Sequence, residues 1–331
     1  EVLKGPQGTV FGKNTSAGVI NVITRRPDYN TYVEGELTVG NYNALGAAGA
    51  FNTALGDNAA FRVYAAKRKR DGFNEVRTGA GPRRETEDGD QNFHTLRGQL
   101  LLEPTDNLDI NLIADFTSRE ENCCVGMTTV RGATANIVNA LSPDEGVALV
   151  ADPFARVAYS NRSTEQDIKD KGISAEVNWI TPWFNGATLT SITAQRDWQS
   201  INGLDFDYSS ADILFRNPTE DDAFTQFEQF SQEFRLTGST ESVDWMVGAF
   251  YADEDLNRNE AYRIGSAYEP YLSIALLSIV NPALGQSPTA PLFLSQATAE
   301  ALAAAVGQGG AQGGPEALSH REYQVYRLLT Q

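Results

Sequence analysis

Residues 1–27, EVLKGPQGTVFGKNTSAGVINVITRRP, decide how the rest of the chain reads. Glu1-Val2-Leu3-Lys4 alternates as a strand does until Gly5-Pro6 stops it, because proline has no N–H for a ladder and glycine opens turn conformations. Gly8, Gly12 and Gly18 punctuate a loop with too little apolar content for a helix. Val19-Ile20-Asn21-Val22-Ile23-Thr24 is β-branched almost throughout, and Arg25-Arg26-Pro27 closes it. The spacing predicts strand, Gly-rich turn and strand, which an ordinary β-turn-β of any all-β protein fits equally. A phosphate-binding loop does not fit. It needs four residues between its glycines and a Ser or Thr directly after its Lys, whereas only Thr9, Val10 and Phe11 separate Gly8 from Gly12, and Asn14 follows Lys13.

The same segment resembles the closing part of the plug domain in TonB-dependent outer-membrane receptors. In that family a strand ends in Val-Leu-Lys-Gly-Pro, a Gly-rich turn and a Phe-Gly-Lys/Arg-Asn step follow, and a Gly-Val-Ile-Asn-Val-Ile-Thr strand leads into the barrel. Val2, Leu3, Lys4, Gly5, Pro6, Gln7, Gly8, Phe11, Gly12, Asn14, Gly18, Ile20 and Asn21 carry the resemblance. It assigns them to plug structure, and Lys4, Lys13, Arg25 and Arg26 with them rather than to ligand contact. The implied fold is all-β: residues 1–28 end a plug, and 29–331 form the first nine or so strands of a transmembrane antiparallel barrel of about 22 strands. The rest of the wall, most of the plug and the TonB box are then expected outside this sequence.

Composition sets outer bounds. A chain of 331 residues with a net charge of −17 is too acidic to favour nucleic acid, whose phosphates attract Lys and Arg. It opens without Met and without the charged and apolar regions of a signal peptide, as an internal fragment would. No run of 18 apolar residues exists, the longest candidate being 272–280, so helical membrane spans are excluded; barrel strands, only half apolar, evade that test.

Beyond residue 31 the chain reads as strands of about ten residues, the length that crosses a bilayer at a tilt. In 32–42, Val33, Gly35, Leu37 and Val39 share one face against Glu34, Glu36 and Thr38. Segments 44–55 and 59–70 follow, then 95–103 and 108–116, the last with Leu108, Ile110, Leu112, Ala114 and Phe116 against Asp109, Asn111 and Asp115. The pairs 172–180 with 187–198 and 230–237 with 243–251 complete the set. A soluble sandwich shows the same parity, so the connections carry more weight. Short turns at 56–58, 104–107, 181–186 and 238–242 alternate with long polar insertions at 71–94, 117–171, 199–229 and 252–320. A barrel with short periplasmic turns and long extracellular loops has this pattern, and loops of such length are uncommon in compact domains without a function. Trp179, Trp183, Phe184, Trp198 and Tyr251 near strand ends suit an interfacial girdle, as scattered core aromatics also would.

Candidate chemistry lies in the predicted loops. Carboxylates cluster at Asp205 and Asp207, at Glu220-Asp221-Asp222 and at Asp253-Glu254-Asp255. Two flanking carboxyl groups serve glycoside hydrolysis and oxygen donors suit a hard cation, but solvated acidic loops are the ordinary case, and no metal or catalytic residue is assigned. Cys123-Cys124 in an oxidising exterior tends toward a bond, although one between neighbours is strained and a Cys elsewhere is an alternative partner. His94 and His320, the only histidines, are unclustered and give that pair no metal-binding company. A helical pattern at 295–306, capped by Ser295 and ended by Gly307, precedes the Gly-rich run 307–314. Tyr262, Tyr268 and Tyr271 in the same insertion have faces that stack on aromatic or sugar ligands.

The resemblance implies active uptake without ATP or a cofactor at the barrel. A scarce ligand binds between loops and plug, and TonB with its energising inner-membrane complex pulls on the plug. Location in the outer membrane of a Gram-negative bacterium, with lipid and lipopolysaccharide around the wall, follows from the same resemblance. A ferric siderophore is the family's usual cargo; cobalamin, haem, nickel complexes and oligosaccharides are others, and the acidic loops do not obviously invite an anionic complex. A passive porin and a soluble all-β carbohydrate-active enzyme using Asp205 and Asp207 are the competing readings.

Overall fold

The computed structural model describes residues 2–8, 15–79, 81–130, 132, 134–142, 152, 154–268, 270–272 and 274–275, with the backbone of 323–326. Strand β1 (Val2–Lys4) pairs antiparallel with β2 (Gly18–Ile20), Leu3 opposite Val19. Gly18 has φ 144°, and a Cβ there would stand 2.5 Å from the Leu3 carbonyl oxygen, so this close approach of two backbones requires glycine. The β-branched run was expected to stay in the sheet to Thr24, but the strand ends at Ile20, because Val2–Lys4 is its whole partner among the described residues. Phe11, Gly12, Lys13 and Asn14 lie outside the described residues, as do 295–306, 307–314 and His320.

Nine long strands then form one antiparallel meander: β3 (Tyr32–Gly40), β4 (Ala44–Ala54), β5 (Ala59–Arg70), β8 (Gln91–Thr105), β9 (Leu108–Asn122), β11 (Glu165–Ile180), β12 (Thr188–Asn202), β15 (Phe224–Ser239) and β16 (Asp244–Ile264). The short strands β6 (Asn74–Arg77), β7 (Glu87–Asp88), β10 (Val157–Tyr159), β13 (Leu204–Asp205) and β14 (Leu214–Arg216) belong to the connections, and β17 (Tyr323–Tyr326) pairs with β16. Among the described residues the sheet does not close on itself.

Register makes the two faces chemically distinct. Val39, Leu37 and Val33 stand opposite Leu45, Ala47 and Phe51; Leu96 and Leu100 face Phe116 and Leu112; Ile110 faces Val177. This face is apolar yet bare, with Leu37 84% and Val39 80% exposed, which water disfavours and hydrocarbon accepts. A shallow groove of about 710 Å³ runs along it where Gly98 and Ala114 lie between Phe61, Leu96 and Phe116. The other face is polar. Arg62 donates to Glu34 at 2.7 Å and to the Tyr32 hydroxyl at 2.9 Å, and Arg196 joins Asp115 at 3.1 Å to Asp170 at 2.5 Å.

At the short-turn rim, Trp179 packs edge-on against Trp183 at 5.3 Å and Phe184 against Trp245 at 5.7 Å, an arrangement suited to a headgroup interface. Trp198, expected in that girdle, instead shares the polar face with Arg196, two residues away on β12. Tyr251 lies on the apolar face against Phe230, at 6.4 Å.

The strands are longer than the ten or so residues expected. From β8 onward they run 15, 15, 16, 15, 16 and 21 residues. Backbone pairing does not end where apolar alternation ends, because polar cross-strand pairs support the upper ladder as well: Lys67 donates to Asn92 at 2.7 Å, and Lys171 meets Asp197 at 3.0 Å. The insertions therefore shrink to 71–90, 123–164, 203–223 and the chain beyond 264, and Asp253-Glu254-Asp255 falls inside β16 instead of a loop. The first connection on the long-loop rim is short, with Tyr42 and Asn43 at φ 60° and 52°.

The parity yields a direct test. Leu112→Arg places a charge on the bare apolar face, and in a membrane wall it costs about 2–4 kcal/mol near the midplane. In a soluble sheet the same change at an exposed position is neutral. Heat-modifiable mobility of the full-length protein carrying Leu112→Arg is expected to show a reduced folded fraction.

Candidate functional site

The chemistry collects at the long-loop rim. Strand β10 pairs in parallel with β6, and β6 antiparallel with β7, so the 123–164 connection lies across the 71–90 connection. Helix α1 (Ala135–Leu141) was not foreseen, and its Val138 forms a buried apolar cluster with Ala211 and Ile213, against which Leu141, Leu214, Tyr268 and Tyr271 pack. Tyr262 stacks on Phe206 at 4.7 Å. The three tyrosines expected to offer ligand-stacking faces are thus half-buried and pack against other residues of the cap.

Buried charges stitch the loops together. The Arg83 side chain is fully buried; it donates to Thr164 Oγ1 at 2.7 Å, to Asp88 Oδ2 at 3.1 Å and to the Glu85 carbonyl at 2.9 Å. Arg162 lies 3.6 Å above the Phe215 ring and donates to Asp212 at 2.8 Å, while Asp212 also accepts from the Ser266 amide at 2.9 Å. Helix α2 (Glu220–Ala223) presents Asp222, wholly buried, to the Arg263 fork on β16. Arg216 binds Glu260. Of the acidic clusters that read as solvated faces, Asp222 is an internal partner of an arginine, whereas Glu220, Asp221 and Asp253-Glu254-Asp255 are exposed.

Asp205 is also internal, and Asp207 is half-buried beside it. Asp205, 1% exposed, accepts through Oδ2 from Ser160 Oγ at 3.0 Å and the Asn161 amide at 2.9 Å. Asp207 accepts from the amides of Ser209, Ile213 and Leu214, each at 3.1 Å. A glycosidic bond must lie between accessible carboxyl groups, and Asp205 presents no surface to a substrate. Burial, and after it the charge of Asp207, push the Asp205 carboxyl up to about 8.

Cys123 and Cys124 are bonded to each other, with Cys124 at φ 86°. The Cys123 amide donates to the Thr164 carbonyl at 3.0 Å, and the Val125 amide reaches Asp88 Oδ1 at 3.4 Å. Two residues on, a Cβ at Gly126 would stand 2.7 Å from the Tyr208 ring. The cysteine turn is thereby seated between the Asp88 staple and the 203–216 segment. His94 packs on Phe116 at 5.8 Å on the apolar side of β8, away from the cysteines. Among the described residues no three His, Cys, Asp or Glu side chains converge as a metal-binding group.

Beneath the cap, the segment leaving β2 crosses the polar face of the wall. Arg25 binds Glu34 at 2.5 Å and lies 4.4 Å over the Tyr32 ring. Arg26 binds Asp109 at 2.7 Å, and the Arg25 carbonyl accepts from Gln99 at 3.1 Å. Both arginines are thus paired with carboxylates of the wall. The segment leaving β2 therefore lies against the polar face, and the stitched loops lie at the long-loop rim.

Searches against known proteins return the same architecture. The wall superposes on the ferric yersiniabactin uptake receptor of Yersinia pestis with a TM-score of 0.59 at 18% identity, over 80% of this chain and 37% of that one. The chain has the barrel-wall fold of the TonB-dependent receptors. The siderophore receptor PiuA of Acinetobacter baumannii superposes at 0.57 and 14% identity, over 81% of this chain and 37% of that one. The ferric-catecholate import receptor Fiu of E. coli also gives 0.57, at 13%, over 78% and 40%. In sequence, the pesticin receptor of Yersinia pestis is 49% identical over 37 residues, 11% of this chain and 6% of that protein. The ferrioxamine receptor of Yersinia enterocolitica is 31% identical over 71 residues, 22% of this chain and 10% of that protein. No family model matches. The chain spans well under half the length of each of these relatives.

Two outcomes test the stitched cap. Arg83→Met leaves Asp88 buried without its cation, a loss of about 3–5 kcal/mol in local stability; limited proteolysis of the full-length receptor is expected to cut within 71–90 and 123–164 faster than in the wild type. At Asp212, burial pushes upward but the Ser266 amide and Arg162 outweigh it; at Asp222 the Arg263 guanidinium does the same, so both carboxyls sit below their usual range. A lowered folded value gives stability that is present above the unfolded value of about 3.9 and is lost as pH falls through the folded one. Pepsin cleavage within 203–223 is expected to rise below about pH 4, and Asp222→Asn to remove part of that dependence.

Proposed function

We propose that this chain is the plug exit, wall and loop cap of an outer-membrane receptor that takes up a ferric siderophore by TonB-dependent transport. The observation that carries the reading is the segment of residues 25–28 fixed across the polar face beneath a cap of interlinked loops. A passive porin leaves its lumen open, whereas Arg25 and Arg26 tie a strand-turn-strand unit into this one. The siderophore cargo is supported by the similar proteins, which are a ferric yersiniabactin uptake receptor, a ferric-catecholate import receptor and a ferrioxamine receptor. Asp88, Asp212, Asp222 and Glu260 are each paired with an arginine, so these four carboxylates do not stand free at the rim.

In this mechanism the wall satisfies its backbone groups strand to strand in lipid, the polar face hydrates a path, and the cap and plug apex bind the ligand. TonB and its inner-membrane complex supply the work that moves the plug; no chemical step and no cofactor is required of the wall.

The test is accumulation of labelled ferric siderophores, with oligosaccharide, haem and cobalamin as comparisons, by cells carrying the full-length gene with and without functional TonB. Accumulation of one ferric siderophore that is lost without TonB supports the reading. Uptake indifferent to TonB leaves a passive pore, and TonB-dependent uptake of another ligand replaces the cargo while keeping the class.

A further inference from the structure

The cap treats its buried acids unequally. Asp88, Asp212, Asp222 and Glu260 each face an arginine, at distances no longer than 3.1 Å. Among the described ion pairs, none includes Asp205 or Asp207. The nearby guanidinium groups are committed elsewhere: Arg162 to Asp212, Arg216 to Glu260 and Arg83 to Asp88. Asp205 is thus withdrawn from water beside the half-buried Asp207, with no cation on the protein side, which is unfavourable unless a proton or an external cation joins them.

A second observation says where such a cation would sit. Oδ2 of Asp205 is occupied by the Ser160 hydroxyl and the Asn161 amide, but Oδ1 is buried and has no partner. Asn161, 2% exposed, places its amide N–H on this carboxylate, and its own Oδ1 is likewise buried and without a partner. The Oγ of Ser210, 1% exposed, is a third such oxygen in the same segment. Asp205, Asp207 and Ser209 recur at every second position, the spacing with which calcium loops present successive oxygen ligands.

We propose that Asp205, Asp207 and Asn161 form a binding site for a hard divalent cation of the calcium type, joining the 203–216 segment to residues 160–162. The donors are all oxygen, with no His or Cys, which disfavours zinc and other soft-ligand metals. The cation would cancel the uncompensated carboxylate charge and take up the orphaned oxygens in one step. Its effect is to lock two loops of the cap, so that the outer face orders only when cation is present. The inference concerns loop order and does not depend on which cargo the receptor carries.

The test uses the full-length receptor in detergent, stripped with chelator. Calcium is titrated by calorimetry, with magnesium and sodium as comparisons, and proteolysis within 203–223 is followed in parallel. One saturable calcium per chain is expected, with a dissociation constant at or below about 1 mM, the range of extracellular sites. At about ten times that constant, cleavage through the open cap should slow about tenfold. Asp207→Asn and Asn161→Ala should each weaken binding, and the second leaves both carboxylates and the Asp88 staple intact. No calcium binding to the wild type, or binding unchanged in both variants, overturns the proposal. A protonated-carboxyl infrared band at neutral pH that is abolished by Asp205→Asn and unmoved by calcium would overturn it too, showing a shared proton in the cation's place.

Discussion

Every backbone N–H and C=O that crosses hydrocarbon must be bonded within the protein, and this requirement shapes the chain. Nine strands meet it by pairing each with the next in sequence, the arrangement that short turns permit and that leaves side chains free to differ by face. The bare apolar face and the charged opposite face follow from one alternation along each strand. The outer edge of β3 carries no partner strand among the described residues. An edge of this kind is not tolerated in lipid, so in the membrane it must be met by further wall.

The apolar cluster of this molecule is found in the cap, around Val138, Ala211 and Ile213, while the wall buries mainly small and polar side chains such as Ala60, Asn52 and Gln99. A wall that presents its apolar residues to lipid needs no second layer, and its polar face is held by ion pairs such as Arg62 with Glu34. The loops stand in water and must build a core of their own, with arginine–carboxylate staples where apolar residues are scarce. The cap is thus a small folded unit standing on the wall.

How much of this the sequence discloses depends on range. Strands such as β9 were legible because Leu108, Ile110 and Leu112 alternate with Asp109 and Asn111, and the turns after Leu55 and Thr181 because local residues make them. The upper halves of the same strands were not, since polar pairs such as Lys171 with Asp197 carry no apolar contrast although the ladder runs on. In the cap, Arg83, Asp88 and Thr164 are separated by up to 81 positions, and each alone has the composition of a solvated loop. The parallel pairing of β10 with β6 is equally non-local. The Asp205–Asp207 pair could be picked out by spacing, but its burial and the lack of an arginine beside it are properties of the folded cap.

Arg25 and Arg26 are adjacent in sequence yet grip strands β3 and β9, which are separated in the sheet by β4, β5 and β8. The segment leaving β2 is therefore moored at two points spread across an arc of the wall. A load on the β1–β2 pair would be shared between both moorings and dispersed over five hydrogen-bonded strands, meeting the wall as shear across many bonds in parallel. A single attachment would let the segment peel away contact by contact. Divided in this manner, such a load would leave residues 25–28 as a fixed point on the wall.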